Sequence, residues 1–160
     1  DGFLISGSQT GQLPLLNLAQ VAEVLNWDLK RGAVVARGLS QPSSESLSHA
    51  AVYASSPHAR CVFHVHSPPL WQAAARLDLP TTPPDIGYGT QAMAQAVGDM
   101  VAERPSGLLV MQGHEDGVLA WGESVGITGN LLLYWWYQSL QRGADWHHPH
   151  ETVNCPFSKG

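Results

Sequence analysis

An α/β domain is the fold class this sequence predicts, and three stretches carry the prediction. Residues 60–67 read Arg-Cys-Val-Phe-His-Val-His-Ser, an apolar β-type run that ends in two histidines one residue apart. Residues 107–111 and 118–121 are two further apolar runs, separated by the tight turn Gln-Gly-His-Glu-Asp-Gly. Helical patterns alternate with these strands, and the longest of them spans residues 124–141. A chain of 160 residues fits one domain and is long enough to bury most of its apolar surface.

In chain order, Phe3, Leu4 and Ile5 form a short strand that breaks into a loop of small and hydroxyl residues at 6–11. Such a loop is either a plain turn or a place where backbone N–H groups approach an anion closely. A turn of helix is expected around residues 15–19. Two strands follow, because Val21, Leu25, Trp27 and Leu29 alternate and residues 33–36 are apolar, with Lys30, Arg31 and Gly32 as the hairpin turn. Pro42 then ends a loop, and Ser43 or Ser44 is placed to cap a helix reaching Tyr53. Free N–H groups, two hydroxyls and the positive end of the helix dipole converge at that start, which suits an anion. Glu45 and His49 share one face of this helix. Glu45 reads either as a first-turn acid or as a chemical group, and His49 as a packing residue or a support to one.

Pro68 and Pro69 are expected to stop the sheet, with a short helix over residues 70–77 and a Pro/Thr loop over 79–89. Thr90 caps a helix running to about Glu103, with Met93, Val97, Met100 and Val101 on its apolar face. The final helix carries Val125, Leu132, Leu133, Trp136 and Leu140 at helical spacing, with Tyr134, Trp135 and Tyr137 besides. A helix apolar nearly all round needs more cover than one sheet face, so one side is expected to meet a neighbouring subunit. Residues 143–160 read as a loose terminal segment carrying His147, His148 and His150, which leaves 1–142 as the domain.

His64 and His66 point to one side of their strand, with Cβ atoms about 6 to 7 Å apart. That spacing suits two imidazoles on one metal ion, and a catalytic zinc-type site asks for a third protein ligand plus an open position. His114, at a strand end beside a turn, stands where site residues are usually carried. Glu115 and Asp116 are turn residues, either of which can orient an imidazole. A net charge of −5 without a basic run argues against nucleic acid as partner. No apolar stretch reaches the roughly 18 residues a membrane span needs, and the first residues lack the basic start of a signal peptide. Two cysteines, Cys61 and Cys155, give no disulfide framework, so a reduced, cytoplasmic setting is expected.

Taken together, Pro42-Ser43-Ser44-Glu45, His49 and Tyr53, His64-Val65-His66, Gly89-Thr90, and His114 ahead of Gly117 resemble the class II aldolase/adducin family. The likeness runs from about Phe3 to Leu140. It implies a three-layer α/β/α sandwich with a central, largely antiparallel sheet, and His64, His66 and His114 as ligands of Zn2+ or another divalent ion. Glu45 matches the family's catalytic acid/base. Ser43 and Ser44 match hydroxyls that hold a substrate phosphate, and Thr10-Gly11 resembles the family's phosphate loop. The resemblance implies a lyase that cleaves or forms a carbon–carbon bond in a ketose phosphate or related hydroxy-carbonyl compound through a metal-stabilised enediolate. Epimerase, dehydratase or decarboxylase chemistry, or a non-catalytic adducin-like binding module, are the alternatives. A homotetramer follows from the same likeness. The 79–89 loop is shorter than the tyrosine-bearing segment of the sugar-phosphate aldolases, with Tyr88 at its end.

Overall fold

The computed structural model describes residues 2–141 of the chain, so the expected 143–160 segment and Cys155 lie outside the described residues. Strand β1 (Phe3–Ser6) pairs antiparallel with β2 (Val21–Asp28), and β2 pairs antiparallel with β3 (Ala33–Gly38). The hairpin between β2 and β3 is closed by Asp28, whose Oδ1 accepts from the backbone N–H groups of Lys30 and Arg31 at 3.0 Å each. The turn of helix expected near residue 17 is a short 3-10 turn over Leu18–Gln20, held by a capping box between Asn17 and Gln20. The expected alternation in β2 is overturned by a bulge between Val24 and Asn26. Ala22 and Val24 take the buried side while Leu25 is left exposed, because the extra residue resets which face each later side chain meets.

A second antiparallel sheet has the order β4-β6-β5, built from β4 (Cys61–His66), β5 (Gly107–Val110) and β6 (Gly117–Gly122). Where the resemblance implied one central sheet, the described strands are divided between two sheets of three. The first sheet packs on helix α1 (Ser46–Ser55): the Phe3 ring lies 5.7 Å from Trp27 within the sheet and 5.0 Å from Tyr53 on the helix. All six residues of β6 are buried, which suits a central strand enclosed on both faces.

The two faces of the second sheet have separate cores. On one, Val62, Leu109, Leu119 and Trp121 pack with Leu47, Ala51 and Val52 of α1 and with Met93, Ala94, Val97 and Val101 of helix α3 (Gln91–Val101). On the other, Leu108, Val110, Val118 and Ala120 pack with Leu70 of helix α2 (Pro68–Gln72) and with Leu131, Leu132 and Trp135 of helix α4 (Val125–Leu140). Thr90 caps α3 and Ser124 caps α4, each accepting a backbone N–H at 3.2 Å. Pro68 and Pro69 begin α2 rather than merely ending the sheet. Proline suits a first helical turn, where its missing N–H has no partner to lose. Helix α4 fully buries only Thr128 and leaves Val125, Leu133, Tyr134, Trp136 and Tyr137 exposed. No helix among the described residues is long and apolar enough to cross a membrane.

Candidate metal centre

The candidate centre grows out of β4 and the turn between β5 and β6. Within β4, His64 pairs with Leu119 and His66 with Gly117, so both imidazoles lie on the face that α1 and α3 cover. The turn that carries His114 is tied down at several points. The N–H of His114 donates to Met111 O at 3.0 Å, that of Gly117 to His114 O at 2.8 Å, and that of Met111 to Gly117 O at 2.9 Å. The Trp71 indole also donates to Met111 O at 3.1 Å, and the N–H of Gln112 donates to the buried Thr82 hydroxyl at 3.1 Å.

Two glycines let this turn fold back as it does. A Cβ on Gly117 would stand 3.0 Å from both Cγ and the carbonyl oxygen of His114, so a side chain there would press the imidazole or the turn aside by a few tenths of an ångström. A Cβ on Gly113 would overlap the carbonyl of Ile86, so the 79–89 loop approaches the turn backbone to backbone.

The three imidazoles face one another. Ring centroids are 5.2 Å apart for His64 and His66, 4.9 Å for His64 and His114, and 4.7 Å for His66 and His114. One nitrogen from each lies within 4.8 Å of the others. A tetrahedral zinc site with nitrogens at about 2.0 to 2.1 Å sets them roughly 3.4 Å apart, so small ring rotations close the set. Both ring nitrogens of His64, Nδ1 of His114 and Oε1 of Glu45 are buried without a hydrogen-bond partner. Unpaired buried polar atoms are costly in a folded protein, and an ion held by one nitrogen of each imidazole would offset part of that cost. The donor set therefore fits a divalent ion. Burial, reinforced by the neighbouring His114 and His66, pushes the His64 pKa down to about 3, and burial also lowers His114. Neutral imidazoles are the form that binds metal.

Glu45 is placed by a helix that begins later than expected. Neither Ser43 nor Ser44 is the N-cap of α1; that position is Glu45 itself, and it is 2 % exposed. The Ser43 carbonyl accepts from the Ser46 N–H at 3.1 Å and from the Ser46 hydroxyl at 2.6 Å, forming a turn that delays the helix. Glu45 Oε2 accepts from the Ser48 hydroxyl at 2.9 Å, and Oε1 lies 3.5 Å from His114 Nδ1. Burial raises the Glu45 pKa, and the bond from Ser48 partly opposes that rise. This is not the solvated first-turn acid the sequence also allowed. His49 is buried behind the site, stacked on Phe3 at 6.5 Å, and burial lowers its pKa to about 4.

The other expected residues are distributed less tightly. Ser43 Oγ accepts from the Glu45 N–H at 3.2 Å, and Ser44 is exposed beside Gly89. The 6–11 loop runs alongside this segment: Gly7 and Pro42 form an antiparallel bridge, and the Ser43 N–H donates to Ser6 O at 3.1 Å. The contacts of Thr10 stay within its own loop, where its hydroxyl donates to Gly7 O at 2.8 Å, and space around Gly11 is open. Sequence reasoning did not assign Tyr88 a place. Its ring stacks on His114 at 4.3 Å and is 54 % exposed, so it stands at the outer side of the cluster. Its position directly before Gly89-Thr90 was the available signal. Among the described residues neither Glu115 nor Asp116 bonds to an imidazole, and Asp116 O accepts from the Ser67 N–H at 2.8 Å.

The family model for the class II aldolase and adducin N-terminal domain matches residues 2–135. No curated protein matches the chain. Among solved structures, the chain is similar to YgbL from Escherichia coli, named as a "putative aldolase/epimerase/decarboxylase", with a TM-score of 0.62 and 17 % identity over 83 % of this chain and 69 % of that one. It is similar also to YgbL from Klebsiella pneumoniae, named in the same words, with a TM-score of 0.60 and 18 % identity over 86 % of this chain and 75 % of that one. At these identities the likeness speaks for the fold.

Proposed function

The chain belongs to the class II aldolase and adducin family, and from that premise we propose that it is a divalent-metal-dependent lyase acting on a ketose phosphate or related hydroxy-carbonyl compound. The observation that carries the reading is the meeting of His64, His66 and His114 with the buried Glu45 carboxyl, whose Oε1 is 3.5 Å from His114.

When bound, a divalent ion, Zn2+ or another, supplies Lewis acidity toward the hydroxyl and carbonyl oxygens of the substrate and so favours an enediolate. The rest falls to side chains. His64, His66 and His114 are the ligands in this reading. Glu45 takes or returns the proton at the carbon beside the carbonyl, and burial strengthens it as a base in its ionised form. Ser43, Ser44 and the Thr10-Gly11 loop bind the phosphate end, which supports orientation of the reacting bond. Support for the anion role is the side-by-side course of these two segments at the Gly7–Pro42 bridge. Tyr88, stacked on His114, limits approach to the cluster from outside.

The same reading includes the three-layer α/β/α arrangement, supported by helix cores on both faces of the second sheet. It includes a single domain over residues 1–142, and a homotetramer joined through the exposed aromatic side of α4. A cytoplasmic setting belongs to the same reading, with Cys61 buried and without a disulfide partner among the described residues. Epimerisation or decarboxylation, named for the YgbL proteins, would use the same proton-transfer group. The experiment is to load the protein with zinc and follow dihydroxyacetone phosphate in D2O by proton NMR. Exchange of the carbon-bound proton that vanishes in Glu45→Gln is expected, and product analysis with aldehydes then separates lyase from epimerase. A zinc-loaded protein that neither exchanges this proton nor turns over any of a panel of ketose phosphates would overturn the reading.

A further inference from the structure

We propose that Ser48 is the positioning residue for the Glu45 carboxylate, holding one of its oxygens so that the other faces the three histidines. The inference rests on the acid/base reading of Glu45 and adds to it the reason the carboxylate points where it does.

A carboxylate at the start of a helix is attracted by the free N–H groups of the first turn. Glu45 occupies that position in α1, yet no side chain caps the turn. Its carboxylate has been drawn off by Ser48, three residues on and therefore on the same face of the helix. The Ser48 hydroxyl donates to Oε2 at 2.9 Å, and Ser48 is 1 % exposed, so water does not compete for the bond. With Oε2 held, Oε1 is left buried, without a hydrogen-bond partner and 3.5 Å from His114 Nδ1. Two orientations thus compete, one capping the helix and one serving the site, and the Ser48 hydroxyl selects the second. A side chain without a donor at position 48 releases the carboxylate to the helix N–H groups. The reacting proton then faces a misplaced base, and misplacement on the order of 1 Å lowers rates by as much as about 10²-fold.

The test compares Ser48→Ala, Glu45→Gln and the double variant, each loaded with zinc. Elemental analysis, kcat and KM for proton exchange on dihydroxyacetone phosphate, and the Glu45 side-chain direction in crystals are measured together. Ser48→Ala removes one oxygen and no carbon, so folding and zinc content are expected to hold. Its kcat should fall about 10-fold with KM unchanged. The Glu45 carboxylate should turn toward the Leu47 and Ser48 N–H groups, and the double variant should be no slower than Glu45→Gln, as for two residues acting through one step. Wild-type kcat in Ser48→Ala while Glu45→Gln is slow would overturn the proposal, as would an unmoved carboxylate. If Glu45→Gln keeps the wild-type rate, the acid/base reading fails instead, and the carboxylate's direction in Ser48→Ala alone decides whether Ser48 holds it.

Discussion

Glu45 Oε1 lies 3.5 Å from His114 Nδ1, and both atoms are buried without a hydrogen-bond partner. A carboxyl from a helix start and an imidazole from a strand-end turn are thereby brought to one point, although 69 positions separate them in sequence. The first prediction follows from this pairing. Glu45→Gln keeps the shape and removes the basic oxygen, so fold and bound metal should persist while turnover drops by roughly 10²-fold or more. Metal content, melting temperature and rate on one preparation check it.

Gly117 provides a second test, through its packing against His114. A methyl group there meets the His114 ring at about 3.0 Å, and the ring must give way by a few tenths of an ångström. Gly117→Ala should fold and lose zinc affinity by about 10- to 100-fold, as changes to groups that orient a ligand do. A chelator competition titration reads the difference.

The pH dependence of the metal-free protein has a definite sign. Folding lowers the pKa of His49 to about 4 and that of His64 to about 3, both from 6.5. Above pH 6.5 both groups are neutral folded or unfolded. As pH falls from 6.5 toward 4 and 3, the unfolded chain takes up protons that the native state excludes, so stability is lost across that window. Glu45, whose pKa folding raises above 4.5, acts in the opposite sense and offsets part of the loss. Melting temperature should therefore decline below pH 6.5, and His49→Phe should decline less steeply.

Association is tested through α4. In the proposed homotetramer the joining surface is the side of α4 on which Tyr134, Trp136 and Tyr137 are exposed at 55, 44 and 58 % respectively. The protein should sediment as an oligomer at micromolar concentration, and Trp136→Glu with Tyr137→Glu should shift it toward monomer.

Much of this was legible because the chemistry lies in short spacings. His64 and His66 share a face through the period-two geometry of a strand, and β5, the turn and β6 could be read from two apolar runs around Gly113 and Gly117. Thr90 announced its helix as a cap. The rest depended on contacts between distant segments. The bulge at Leu25 resets the face pattern of β2 without a local marker. The later start of α1 arises because the Ser43 carbonyl takes the Ser46 N–H and hydroxyl into a turn, which turned Glu45 from a first-turn acid into a buried N-cap. Tyr88 reaches His114 only because Gly113 lets the Ile86 backbone come close. Ser48 was detectable in principle, three residues after Glu45 on one helical face, but its role becomes visible only once both residues are known to be buried.

In the proposed site three imidazoles hold a divalent ion beside Glu45, and anomalous diffraction from zinc-loaded crystals locates that ion. One zinc per chain is expected, with a nitrogen of His64, His66 and His114 each at about 2.0 to 2.1 Å, and loss of most of that zinc in His64→Ala. Zinc bound elsewhere, or unchanged zinc stoichiometry in His64→Ala, would contradict it.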